Sequence, residues 1–273
     1  MSWYISLFGS IAVIMAGIYK KLNIGLTMIF GAITLGLLSY LPGKDLFLVF
    51  YSGTVNSVTV MLFVSILLLG ILGYILKETG ALQEIIASLN ALVADIRIIT
   101  AVLPALIGML TVPGGAILSA PLCAEAGSRL QLPPERQAAI NIWFRHVFYF
   151  ALPLFPSLIL AAQLSGVNIG RFVLHNLPLV LLGALTGFYY LFRGFPAPGE
   201  GFSISAGAAG RLLISLAPLL VVLILVTFFD LYFPLALLVG IILALLNYLP
   251  GQNKLTRFGR RIRSMILPGI NIP

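Results

Sequence analysis

Residues 98–126 read IITAVLPALIGMLTVPGGAILSAPLCAEA, and whether this stretch crosses a bilayer or turns back inside it sets the topology of everything that follows. Its first arm, Ile98–Val112, is short for a crossing, because about 20 helical residues are needed to traverse roughly 30 Å of hydrocarbon. It meets Pro113–Gly114–Gly115, and the second arm, Ala116–Ala126, is shorter still and contains Pro121. Two short arms around a Pro-Gly-Gly tip predict a re-entrant hairpin that enters and leaves on one side, its irregular backbone covered by protein or a watery cavity. Charge placement supports the hairpin. With it, thirteen Lys and Arg residues between Lys20 and Arg263 fall on the inner side, and two, Lys44 and Arg171, fall outside. A full crossing would flip every later loop and leave five inside and ten outside, against the tendency of basic loops to stay in the cytoplasm. The same count places the N-terminus outside and the C-terminus in the cytoplasm.

Composition agrees with a membrane setting. The 273 residues are 60% hydrophobic and 9% charged, with a mean hydropathy of +1.10. Soluble domains carry about 25% charged residues, so this chain lacks the polar surface that a water-soluble fold needs. That excludes soluble enzymes, coiled coils, disulfide scaffolds and disordered chains. The 27 Gly and 16 Pro fit a polytopic helical protein of the plasma (inner) membrane. The net charge of +8 is spread between apolar segments and serves orientation rather than nucleic-acid binding. A lone Cys123 has no partner for an internal disulfide or a zinc site. Met1–Tyr4 lacks the basic start of a cleavable signal peptide, and Lys20 and Lys21 follow the first apolar stretch, so that stretch stays in the bilayer.

Six uninterrupted apolar runs predict spans: Trp3–Tyr19, Leu22–Leu41, Ser57–Leu76, Phe172–Phe192, Leu212–Phe229 and Tyr232–Leu249. Pro134–Leu164 also crosses, but Pro153 and Pro156 break its helix near the middle. Ala81–Ala94 spaces Leu82, Ile85, Ile86, Leu89, Leu92 and Val93 on one helical face. It is an amphipathic helix on the membrane surface, a docking strut between two bundles, or an ordinary loop helix. Ile33–Gly43 recurs as Ile241–Gly251 with eight of eleven positions identical, ending both times in Tyr-Leu-Pro-Gly. The first copy falls outside and the second inside, which is the mark of an inverted-topology repeat. The expected organisation is a first repeat over 1–192, a cytoplasmic linker over 193–210, and the start of a second repeat over 211–273. The second repeat is incomplete: a partner chain supplies the rest, the gene is truncated, or a shorter form works as an oligomer.

All eight acidic residues lie in loops or near helix ends, and no zinc-hydrolase or phosphate-cradling motif occurs, so the sequence supports no enzyme and no cofactor. The polar exception is Asn141–Ile142–Trp143–Phe144–Arg145–His146. Arg145 lies about 16 Å along a helix starting at Pro134, near the bilayer midplane. A charge at that depth lines a cavity or has a partner. Asn141, Arg145 and Tyr149 share one face, with His146 turned about 100° away. The face either binds an anion through the guanidinium fork, or Arg145 is structural and pairs with Glu125, Glu135 or hairpin carbonyls. At the hairpin tip, Gly114 and Gly115 let backbone approach a ligand and the next half-helix offers unpaired N–H groups, with Thr111 and Ser119 adding hydroxyls. The plainer alternative is a Pro-Gly turn between packed helices. Pro153–Leu154–Phe155–Pro156–Ser157 would free carbonyls suited to a sodium ion. His146 is able to carry a proton but is more often a packing residue at such positions.

Val112–Pro113–Gly114–Gly115–Ala116 with Ser119–Ala120–Pro121, followed by Asn141–His146 and Pro153–Pro156, resembles the prokaryotic membrane family called domain of unknown function 401. That family is similar to the ion transporter superfamily, which includes gluconate, citrate and dicarboxylate carriers. The resemblance implies an elevator mechanism: outer scaffold helices, surface struts such as Ala81–Ala94, and a mobile core of hairpins and broken helices. It also implies a secondary transporter of small organic anions driven by Na+ or H+. Pro113, Gly114, Gly115 and Arg145 would hold the anion, Thr111, Ser119, Asn141, His146 and Ser157 would assist, and Pro153 and Pro156 would shape the ion site. Family members carry a glutamate just after the Phe-Arg-His segment, where this chain has Phe148–Tyr149, so proton coupling there has no carboxylate. The alternative is a non-transporting subunit that needs a partner chain for its second half. The expected partners are the lipid bilayer, a small anionic substrate, and a second copy or a completing chain, with no nucleic acid.

Overall fold

A computed structural model describes residues 3–93, 95–109, 115–195 and 206–248, and among them it contains helices and no strand. Two compact units divide the chain, Met1–Val60 and Met61–Pro273.

In the first unit, α1 (Trp3–Tyr19) packs along α2 (Ile24–Leu38), and α3 (Gly43–Val55) follows. Small residues line the α1–α2 seam: Gly17 of α1 lies against Thr27 and Ser10 against Gly31 of α2, whereas Gly36 lies against Leu46 of α3. Ser10 Oγ donates to the Gly31 carbonyl at 2.9 Å. Small residues let apolar helices approach closely where no hydrophobic force drives them together. The expected run Leu22–Leu41 yields only fifteen helical residues. Asn23 caps the start by accepting from Leu26 N–H, and Tyr40, at φ +56°, turns the chain out of the helix. α3 was outside the expected spans, since Lys44, Asp45, Ser52 and Gly53 interrupt its apolar character.

α4 (Ser57–Glu78) leads into the second unit, which continues with α5 (Ala81–Leu92), α6 (Ile96–Met109), α7 (Gly115–Arg129) and α8 (Pro134–Val147). A 3₁₀ turn at Phe148–Phe150 precedes α9 (Pro156–Ser165), α10 (Ile169–Phe192), α11 (Ala206–Phe228) and α12 (Phe233–Tyr248). Three helices, Ser57–Glu78, Ile169–Phe192 and Gly207–Phe228, are long and apolar enough to cross a membrane.

α6 is the centre of this unit. On one side Ile99 and Leu103 pack with Ile85 and Leu89 of α5 and with Leu212 and Leu216 of α11. On the other, Ala101 joins Cys123 of α7, Ile140 and Phe144 of α8, and Phe192 of α10. The amphipathic face of α5 is therefore covered by protein, and Glu84 pairs with Arg211 of α11 at 3.0 Å. α6 and α7, fourteen and fifteen residues long, lie side by side. At 1.5 Å per residue each reaches about 22 Å, short of a crossing. The two repeat segments fall on α2 and α12, each the second helix of a packed pair, and Leu249–Gly251 lie outside the described residues.

Candidate functional site

α8 is set by proline at both ends. Pro134 occupies its first turn, where a missing N–H leaves no bond unmade. At the other end regular helix stops at Val147, the chain passes through Phe148–Phe150 and an irregular stretch, and Pro156 opens α9. Asn141 and Arg145 share the inward face and are 7% and 8% exposed. Ser119 on α7 is fully buried, and its Oγ donates to Asn141 Oδ1 at 2.7 Å.

Arg145 lies in the last turn of α8, against the last turn of α6. The contact depends on Gly108: a Cβ there would stand 2.7 Å from the Arg145 carbonyl oxygen and 3.1 Å from its Cγ. Nη1 of Arg145 is buried with no hydrogen-bond partner among the described residues. No carboxylate among the described residues pairs with it: Glu125 bonds Arg129 at 3.3 Å, so that structural pairing does not form. The C-terminal dipole of α8 favours a cation here, but it gives Nη1 no acceptor. The contacts Gly108–Arg145 and Ser119–Asn141 bracket residues 110–114. Thr111, Pro113 and Gly114 of the expected tip lie outside the described residues, and Gly115 opens α7.

Several expected members sit elsewhere. Tyr149 leaves the Asn141–Arg145 face, because α8 ends two residues before it; its ring stacks on Phe155 at 3.8 Å. His146 is exposed, its Nδ1 against the Ile142 carbonyl at 2.7 Å, and faces an apolar groove between α8 and α10. Ser157, at the start of α9, is exposed. Pro153 is buried and Pro156 half-buried within the break. No backbone hydrogen bond among the described residues ends on the carbonyls of Ala151, Pro153 or Leu154.

One anchoring pair went unnoticed in the sequence. Trp143 lays its indole across Gly183 and Gly187 of α10, and its Nε1 donates to the Gly183 carbonyl at 3.0 Å. Gly187 has no room for a Cβ beside that ring. The Gly-x-x-x-Gly spacing at 183–187 was the available signal. It holds α8 on its outer side while Arg145 faces inward.

A second arginine of this unit has its partner within the chain. Arg97 donates to both oxygens of Asp95, through Nε at 3.1 and 3.2 Å and Nη2 at 2.8 Å, and its backbone N–H donates to Oδ1 at 2.9 Å. The guanidinium hydrogen bond holds the Asp95 carboxyl below its ordinary pKa, outweighing the opposite effect of burial.

Comparison with known proteins gives a family and no further relative. A family model described as "Protein of unknown function (DUF401)" matches residues 1–263, and the chain belongs to that family. No curated protein and no solved structure matches it.

Proposed function

We propose that this chain resides in the cell membrane as a secondary transporter of small organic anions, with its N-terminus outside and its C-terminus cytoplasmic. One observation carries the reading: a guanidinium that is 8% exposed, with a buried Nη1 that no group among the described residues satisfies. An uncompensated buried charge is costly, and removing one partner of a buried pair typically destabilises by about 3–5 kcal/mol. A carboxylate accepting the guanidinium fork supplies the missing charge and acceptors together. Asn141, fixed by Ser119, lies one turn away on the same face to orient such a ligand. The paired short helices α6 and α7 and the interrupted α8–α9 suit the moving core of an elevator, in which ligands meet broken backbone. The carbonyls of Ala151, Pro153 and Leu154, on which no backbone hydrogen bond among the described residues ends, suit a coupling sodium ion. In the proposed assembly this chain pairs with a second copy of itself or with another chain.

The test is uptake into proteoliposomes against a panel of mono-, di- and tricarboxylates, with sodium and proton gradients imposed separately. Wild-type protein should accumulate at least one of them under one gradient. Arg145→Gln, incorporated to the same level, should lose uptake by on the order of 100-fold or more, as expected when a buried charge contact is removed. Equal uptake by the variant would end the assignment of Arg145 to the substrate.

A further inference from the structure

Three guanidinium groups gather where α10 ends. Arg193 follows the last helical residue, with its Cζ 5.8 Å from the Tyr189 ring centroid. Arg97, at the start of α6, places its Cζ 6.0 Å from the Phe188 ring. Arg136, in the first turn of α8, lies 5.1 Å from the Phe195 ring, and its Nη1 donates to the Arg193 carbonyl at 3.0 Å. Arg97 and Arg193 border a cleft of about 410 Å³ walled also by Phe188, Tyr189, Phe192 and Phe195, with Arg136 behind the Phe195 ring. Asp95 offsets one of the three charges; neither Arg193 nor Arg136 has a carboxylate partner among the described residues. The site thus keeps an excess of positive charge next to an aromatic floor.

The depth of this cleft identifies its ligand. α10 has 24 residues, about 36 Å of helix, so its ends reach beyond the hydrocarbon into the headgroup layer. Leu181, Leu185 and Tyr189 are all exposed and follow one another at intervals of four, and Arg193 continues the same row. A phosphate ester is the anion that several guanidinium groups suit. A free phosphate would use the cleft alone, whereas a phospholipid would also lay an acyl chain along Leu185 and Leu181. Basic pockets between helices at a membrane interface hold acidic headgroups in this way. We propose that the cleft at the end of α10 is a binding site for an anionic phospholipid, with the headgroup phosphate between Arg97 and Arg193 and the chain on the exposed α10 ridge. This site is separate from Arg145 and independent of what Arg145 binds.

Native mass spectrometry of the full chain released from nanodiscs of equal phosphatidylglycerol and phosphatidylcholine tests it. Wild type should retain phosphatidylglycerol in preference, and Arg97→Gln/Arg193→Gln should reduce that retention about thirtyfold, the effect of two interfacial basic residues. Lys20→Gln/Lys21→Gln, an equal loss of charge elsewhere, should leave it unchanged. Since Arg97 also bonds Asp95, the exposed Arg193→Gln alone serves as the variant that keeps the fold, with a reduction of several-fold expected. No preference in wild type, or undiminished retention in Arg193→Gln, overturns the proposal. Displacement of the retained lipid by millimolar glycerol phosphate would assign the cleft to a soluble phosphate ester and overturn it equally.

Discussion

The start of α6 and the end of α8 each carry an arginine, and the two are treated in opposite ways. Arg97 is forked onto Asp95 two residues away, with 31% of its side chain exposed. Arg145 is 8% exposed and ends in a buried nitrogen without a partner among the described residues. The polypeptide provides for Arg97 from its own backbone and side chains. At Arg145 it brings a charge inward, locks the neighbouring Asn141 with Ser119, and supplies no anion among the described residues. A satisfied pair of this kind reads as structure, and a deliberate deficit reads as a place for something else.

The largest effect that sharpens this contrast comes from the glycine beneath Arg145. Gly108→Val would drive a branched side chain against the Arg145 carbonyl, which as backbone has little freedom to yield. Overpacking of this sort costs about 1–3 kcal/mol, occasionally more, so the unfolding midpoint in detergent should fall and uptake should disappear with it. Wild-type stability with intact uptake would mean that α6 and α8 do not meet as closely as they do here.

The Arg97 side should respond weakly and with a definite pH dependence. Asp95→Asn removes a partly exposed pair and should cost about 1 kcal/mol at neutral pH. Because the folded-state pKa of Asp95 is depressed, its contribution is present above the unfolded carboxyl value of about 4 and is lost as pH falls through the lower folded value. Unfolding midpoints of wild type and variant measured across pH 3–7 should therefore converge at the acid end. A difference that persists undiminished below that range would show that Asp95 acts otherwise than through its charge.

Much of this arrangement was legible in the sequence, and the gaps have physical causes. Hydrophobic length and charge placement located the α6–α7 pair, the α8–α9 interruption and Arg145, because helix length and proline act locally. The register beyond the break was not legible: Tyr149 was expected on the Arg145 face by helical spacing, and that spacing lapses once Val147 ends the helix. His146 and Ser157 carry suitable chemistry on the wrong surfaces, and only tertiary packing decides which surface is inside. Ser119 and Asn141 were singled out separately; their hydrogen bond across 22 residues depends on how α7 lies on α8. The Trp143 seat was written in Gly183 and Gly187, but a glycine pair does not reveal which helix brings the residue that fills it.

The central claim is that Arg145 awaits an anion. Its most direct test is the thermal unfolding midpoint of detergent-solubilised wild type and Arg145→Gln, each with and without millimolar carboxylates. Without ligand, the variant should be as stable as wild type or more so, because a buried unpaired charge has been removed. With a carboxylate that binds at a hundredfold excess over its Kd, wild type should gain about 2.7 kcal/mol and the variant nothing. A variant that loses about 3–5 kcal/mol without ligand, with no carboxylate stabilising wild type, would show that Arg145 is a strut of the fold and contradict the account.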